Sequence, residues 1–198
     1  MNLSPFIIDR RENFNKDVLN SMHKLRYDVF IGKRKWKTGL KKIGKKEYDK
    51  YDKTNTTYVI NLNENRQVNA CCRLISTDTP YMLAERYAEA IDLIDIPNSN
   101  KIWEITRFCA SDKFIEETNH KVLPLMLLEV IEFGLKNNVT NFISLTTLGL
   151  VEQLRKSSGW DFSVLGEPIK TPDDISQALF FTVNEIERDK IIRKINEV

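Results

Sequence analysis

This chain is poor in the residues that staple, bend or metallate small folds. Its 198 residues include three cysteines, seven glycines, six prolines and two histidines. Cys71, Cys72 and Cys109 cannot complete a set of disulfides, and their spacing matches no C-x-x-C pattern, which points to a reducing, cytoplasmic setting. Because Cys71 and Cys72 are adjacent in a β-prone run, one must face inward, and buried inert thiols are expected. His23 falls among helical positions with no acid at metal-ligand spacing, so no metal site is expected. There is no Ser-His-Asp arrangement, and the lack of any G-x-G-x-x-G or P-loop pattern argues against dinucleotide and nucleoside triphosphate enzymes. No apolar run approaches about 18 residues, so no membrane span is expected. Met1 to Arg10 lacks the cationic lead-in, long apolar core and small-residue site of a secretory leader.

What is present fits one globular domain over residues 1–198, a length that buries roughly 70% of the unfolded chain's surface. The net charge of +2 hides an asymmetry: Lys33 to Lys53 carries ten Lys or Arg against three acids, a local +7, so the remainder sums to −5. Such a segment attracts a polyanion, whether nucleic acid, a lipid headgroup or an acidic carrier protein; it also reads as a solvated basic loop. Aromatic residues are not interleaved with the lysines as base stacking requires, which argues against a nucleic-acid arm.

Val18, Met22, Leu25 and Val29 recur at helical spacing, predicting a helix that starts after Asn13 or Asn15. Residues 31–56 show no sustained periodicity and predict a long ordered or semi-ordered loop, of a length that in compact domains is usually functional or disordered. Thr57 to Leu62 and Val68 to Ile75 predict a hairpin joined by Asn63-Glu64-Asn65-Arg66, and Lys101 to Phe108 a third strand. Pro124 suits the first turn of a helix reaching about Asn137, with Leu125, Leu128, Ile131 and Leu135 as its apolar face. Asn141 to Thr147 reads as a strand, Leu150 to Lys156 as a helix stopped by Gly159, and Ala178 to Val183 as a late strand before a polar final helix. Hairpins early and helical connections late predict a mixed sheet covered by helices on both faces.

The chemistry concentrates in charges set among apolar residues. Arg26, Asp49, Asp52, Arg73, Glu104 and Arg107 come from four segments, and ionised groups in a sheet interior cost several kcal/mol unless paired or used. A balanced set of acids and guanidiniums suits a zwitterionic ligand such as an amino acid; structural ion pairs explain Asp49, Asp52, Arg73 and Arg107 taken singly. Phe30 and Trp36 add faces that attract ammonium or sulfonium cations. Asp49 and Asp52 share a face on a helix or tight turn. Along a regular strand Glu104 and Thr106 point one way and Arg107 the other, so either a bulge intervenes or the two charges have separate tasks.

Several ordered motifs together resemble the acyl-homoserine lactone synthases, the autoinducer-making enzymes of bacterial quorum sensing. They are Leu25-Arg26-Tyr27-Asp28-Val29-Phe30 with Trp36, Tyr48-Asp49-Lys50-Tyr51-Asp52, Cys72-Arg73-Leu74 with Tyr81-Met82-Leu83, and Glu104-Ile105-Thr106-Arg107-Phe108. The resemblance spans nearly the whole chain. It implies a three-layer α/β/α sandwich with a mixed central sheet, similar to the N-acetyltransferases. It also implies S-adenosylmethionine as substrate rather than cofactor, and an acylated acyl carrier protein as partner. The products would be an N-acyl-homoserine lactone and methylthioadenosine.

By that likeness, residues 1–56 form a mobile helix and loop that cover S-adenosylmethionine through Arg26, Phe30 and Trp36, while Asp49, Asp52, Arg73, Glu104 and Arg107 form the charged cluster. Thr106 stands where the family usually has Ser, and Tyr87 where it usually has Phe. Thr146 resembles a position at which Thr in some members favours 3-oxo chains. Glu104 is the candidate base for deprotonating the substrate amine. Leu125, Met126 and Phe142 suit an acyl tunnel or an ordinary core. Arg155 and Lys156, or the Lys33 to Lys53 segment, would dock the acidic carrier. A generic acyl-CoA N-acyltransferase is the nearest rival, although the Gly-rich pyrophosphate loop it would need is missing around Ala70 to Ile75.

Overall fold

A computed structural model describes residues 6–36, 41–42 and 44–197 of the chain. Within them the elements run β1 (Phe6–Arg10), α1 (Lys16–Arg26), β2 (Lys41–Lys42), β3 (Glu47–Tyr48), β4 (Thr57–Leu62), β5 (Val68–Ser76), α2 (Met82–Arg86), β6 (Ile102–Ala110), α3 (Asp112–Glu117), α4 (Val122–Lys136), β7 (Asn141–Thr147), α5 (Leu148–Ser157), β8 (Phe162–Val164), β9 (Ile169–Lys170), β10 (Ile175–Thr182) and α6 (Glu185–Asn196). Two compact units divide the chain: Met1–Leu74 with Arg107–Val122, and Ile75–Thr106 with Leu123–Val198. The expected cover over residues 1–56 includes positions 1–5, 37–40 and 43, which lie outside the described residues.

In the first unit β4 pairs antiparallel with β1, from Phe6↔Asn61 to Arg10↔Thr57, and with β5, from Thr57↔Leu74 to Asn61↔Ala70. The predicted hairpin is thus present, and the edge strand β1, too short and mixed to show a period, is added to it. Helix α1 begins where Asn15 caps it, its side chain accepting the Val18 N–H at 2.9 Å. The predicted stripe then does its work: Val18, Met22, Leu25, Val29 and Phe30 form a core with Tyr58, Ile60, Val68, Cys71 and Cys109. Each such side chain contributes about 1.5–3 kcal/mol by leaving water. The α-helix stops at Arg26, earlier than the stripe suggests, and a π-helical stretch over Tyr27–Lys33 carries Val29 and Phe30 inward. The Arg34 N–H closes it on the Val29 carbonyl five residues back at 2.9 Å. The thiols of Cys71 and Cys72 are both buried, where the sequence required at least one to be, and so is that of Cys109. Burial pushes those of Cys72 and Cys109 up, which leaves them protonated.

The second unit holds a mixed sheet. β6 runs parallel to β7 from Ile102↔Asn141 to Glu104↔Ile143, while β10 is antiparallel to β7, β8 and β9. Pro124 lies in the first turn of α4, where its missing N–H costs nothing. The most buried face of this helix is Leu123, Met126, Leu127, Val130 and Ile131, whereas Leu125, Leu128 and Leu135 are half-buried shoulders. A helix apolar nearly all round has no single stripe for periodicity to pick out. Gly134 lets it approach β7, since a Cβ there would sit 2.9 Å from the Phe142 ring. Gly159 ends the turn after α5 at φ +75°, as the sequence suggested. Trp160 then packs against Phe142 and Phe181.

Candidate functional site: a closed ring of alternating charge

Most of the sequence-predicted charges meet in the first unit, and the local chain explains how. Asp49-Lys50-Tyr51-Asp52 is a tight turn: Asp49 Oδ1 accepts the Tyr51 N–H at 2.8 Å, and Asp52 Oδ2 accepts the Asp49 N–H at 2.9 Å. Both carboxylates therefore face one side, the turn alternative of the sequence expectation. Glu47, two residues earlier on β3, joins them. Arg26 enters from the end of α1, Arg73 from β5 and Arg107 from β6.

These six side chains close a ring in which the signs alternate. Arg26 Nε donates to Glu47 Oε2 at 2.5 Å, Arg107 Nε to Glu47 Oε1 at 3.2 Å, and Arg107 Nη2 to Asp49 Oδ2 at 2.6 Å. Arg73 Nη1 donates to Asp49 Oδ1 at 2.5 Å and to Asp52 Oδ1 at 3.1 Å. Arg26 closes the circuit with a two-pronged bond to Asp52, at 2.7 and 2.9 Å. Three acids balance three guanidiniums, and all six are largely sequestered from water. The Tyr58 hydroxyl donates to Asp52 Oδ1 at 2.6 Å.

Burial opposes the charges of Asp49, Asp52, Arg26 and Arg73, and their partners outweigh it. For Asp52 and Asp49 burial favours the neutral acid, yet the guanidiniums win; Asp52 sits well below the ordinary carboxylate range and Asp49 is lowered. Arg26 is raised despite its burial because Asp52 and Glu47 flank it. His23, stacked on Tyr48, has Nδ1 at 2.8 Å from the Glu47 carbonyl oxygen and so donates to it as the neutral ring. Burial first, then the nearby Arg26 charge, lowers its pKa from 6.5 to about 4. The folded state therefore binds fewer protons than the unfolded one between those values. Stability is expected to fall by up to about 3 kcal/mol as pH drops from 6.5 to 4. Urea titrations across that range should show the loss in the wild type and a flatter profile in His23→Asn.

Phe30 and Trp36 stack beside the ring, with centroids 4.7 Å apart at 20°. The Arg107 guanidinium lies 5.7 Å from the Phe30 centroid, and Arg34 lies 5.5 Å from Phe30 and 5.9 Å from Trp36. Sequence reasoning missed Glu47, Tyr58 and Arg34. Period-two spacing of Glu47 and Asp49 could have revealed the first; the hydroxyl of Tyr58, in an apolar strand, gave no comparable signal.

Glu104 belongs to the second unit. Its Oε1 accepts the Leu83 N–H at 2.7 Å and its Oε2 the Met82 N–H at 3.2 Å, so it binds the first turn of α2. Glu104 and Arg107 thus have separate partners, the second of the two sequence alternatives. A backbone irregularity accompanies this, because Arg107 has φ +56° within a strand. Thr106 is buried and Thr146 half-buried, on β6 and β7 respectively. Among the described residues those strands pair no further than Glu104↔Ile143. Arg155 and Lys156 are exposed in the last turn of α5, with the Arg155 guanidinium 5.1 Å from the Phe162 centroid. Met126 and Phe142 are fully buried.

A sequence profile described as autoinducer synthase matches residues 10–191. An acyl-homoserine-lactone synthase of Pseudomonas aeruginosa is 30% identical over 180 residues, covering 89% of this chain and 88% of its own. The solved structure of BjaI, described as a CoA-dependent acyl-homoserine lactone synthase with SAM and isopentyl-CoA, superposes with a TM-score of 0.85 at 23% identity, over 98% of this chain and 89% of its own. A putative N-acetyltransferase from Lactobacillus plantarum shares the fold at TM-score 0.64 and 12% identity, over 92% of this chain and all of its own. The fold is therefore the N-acetyltransferase-like α/β sandwich with a mixed sheet. The chain belongs to the autoinducer synthase family and is an acyltransferase of the acyl-homoserine-lactone synthase kind.

Proposed function

We propose that the chain, as one synthase domain, transfers an acyl group from an acylated acyl carrier protein to the α-amine of S-adenosylmethionine in the cytoplasm. It then closes the homoserine lactone and releases methylthioadenosine, giving a quorum-sensing signal. The observation that carries this reading is the neutral ring of three acids and three arginines beside a stacked Phe30–Trp36 pair. A ligand bearing ammonium, carboxylate and sulfonium matches such alternating charge and aromatic faces. S-adenosylmethionine is a substrate here, held by Arg26, Phe30, Trp36, Asp49, Asp52, Arg73 and Arg107.

The chemistry asks for two bond exchanges. An α-amine with a pKa near 7.7–8.0 is mostly protonated at neutral pH, so a base is needed before it attacks the thioester. Glu104 takes that proton through a water, the amide bond forms, and the carrier thiol leaves. Backbone N–H groups where β6 and β7 cease to pair stabilise the tetrahedral oxyanion. The methionine carboxylate, oriented by Arg26 or Arg107, then attacks its own γ-carbon, and the C–S bond breaks to give neutral methylthioadenosine. Holding both ends of one molecule in reach supplies an effective molarity of about 10⁵ M or more. Thr106 and Thr146 contact the acyl chain, which Leu125, Met126 and Phe142 enclose.

The carrier is favoured as donor by Arg155 and Lys156, two exposed cations on one helical turn that suit an acidic surface. Coenzyme A is the second reading, because BjaI is described as CoA-dependent. Assays with purified chain, S-adenosylmethionine and either acylated carrier or acyl-CoA, read by mass spectrometry of the lactone, distinguish the two. Charge reversal at Arg155 and Lys156 is expected to raise KM for acylated carrier while leaving that for S-adenosylmethionine within twofold of wild type. Equal effects on both substrates would remove the docking role.

A further inference from the structure

Between β5 and β6 the chain makes an excursion over residues 77–101, and within the second unit this excursion is tied to itself at two places. Thr77 and Ser99 close its neck: the Thr77 hydroxyl donates to the Ser99 carbonyl and accepts the Ser99 N–H, each at 3.0 Å. Further along, the hydroxyl of the buried Tyr81 donates to the Pro97 carbonyl at 2.7 Å. Burial first, then the nearby Glu104 charge, pushes that phenol up to about 12, so it remains a donor at neutral pH. Tyr81 is also the residue that precedes α2. Its side chain makes no cap bond to the helix, and the Met82 and Leu83 N–H groups of the first turn go to the fully buried Glu104 carboxylate instead, one to each oxygen.

We propose that Tyr81 is a positioning residue of the synthase reaction: anchored on Pro97, it sets the start of α2 so that the Met82 and Leu83 N–H groups hold the Glu104 carboxylate in one orientation. This deepens the base role proposed for Glu104 and rests on it. The terminal torsion of a glutamate is broad, and a hydrogen bond on each oxygen narrows it. Orientation matters to a base, because a misplacement of roughly 1 Å costs up to about 10²-fold in rate. Loosening the first turn of α2 therefore slows turnover without changing the groups that bind substrate.

Steady-state kinetics of the purified full chain test this, with S-adenosylmethionine and whichever acyl donor it turns over. Tyr81→Phe keeps the ring and removes only the anchor. Its kcat is expected to fall about tenfold while both KM values stay within twofold of wild type. Met82→Pro probes the second link and serves alone if Tyr81→Phe does not fold. It changes the first helical position, which tolerates proline, after a residue at φ −130° and ψ 162°, the extended backbone that proline requires before it. The change deletes one donor to Glu104. Met82→Ala, which lacks the same side chain but keeps the N–H, is the control. Met82→Pro is expected to have a kcat about fivefold below that of Met82→Ala, at KM values within twofold of it. A kcat within twofold of its reference for either variant, or a loss confined to KM, would overturn the inference; with Glu104→Gln inactive, that result leaves Glu104 standing as the base. Folded Glu104→Gln at full turnover would overturn both.

Discussion

Asp52→Ala is expected to lower the stability of the chain by about 3–5 kcal/mol, the largest effect of any single substitution considered for the ring. Asp52 accepts from Arg26 through two nitrogens, from Arg73, from the Tyr58 hydroxyl and from the Asp49 backbone. Alanine would leave Arg26 and Arg73, both fully buried, facing a hole where their counter-charge had been. Desolvated guanidiniums cannot lose a proton to escape the penalty, so the cost falls on the folded state. Urea unfolding near pH 7 measures it, and a loss below about 1 kcal/mol would show that the ring relaxes or admits water. The same residue governs the acid limb. With the folded pKa of Asp52 depressed, its contribution is complete above the ordinary aspartate value near 3.8 and is lost as pH falls further. Acid unfolding of the wild type below that point should be steep, following the gentler decline due to His23.

Glu104→Gln is expected to reduce lactone formation by about 10²–10⁴-fold, the range that a positioned base supplies. The carboxylate also accepts the Met82 and Leu83 N–H groups, and the amide nitrogen of Gln would present a donor to one of them. A separate stability cost of about 1–3 kcal/mol is therefore expected from that mismatch. The two roles are separable by pH. If Glu104 acts as the base, Glu104→Asp retains more turnover than Glu104→Gln and keeps an acid limb in kcat/KM, which Glu104→Gln loses. Turnover within twofold of wild type in folded Glu104→Gln would confine Glu104 to anchoring helix α2.

Some of this was readable locally. Strand β7 runs over Asn141–Thr147 as read from the sequence, Asn15 caps α1 within the predicted start, and Thr57–Leu62 pairs with the following strand as a hairpin. In each case the signal was a β-prone run, a turn segment or a cap, which neighbours in sequence supply by themselves. Other features depended on distant partners. The π-helical turn at Tyr27–Lys33 follows an ordinary helical stripe, and nothing in its composition separates i+4 from i+5 bonding. Glu47 was hidden inside a lysine-rich segment whose charge suggested a solvated loop, because a tally of like charges masks one acid that has turned inward.

Sequence alone determined the residue types of the site: Arg26, Asp49, Asp52, Arg73 and Arg107 are ionic groups in settings that demand counter-charges, and desolvation makes that demand whatever the fold. Tertiary structure alone decided the pairing. Which acid meets which guanidinium depends on side chains from β3, the turn after it, β5, β6 and the end of α1 arriving within 3.2 Å of their partners, and on Glu47 turning inward to complete the circuit. Charge balance can be counted along a chain, but hydrogen bonds are short and directional, and only the folded backbone fixes where their ends meet.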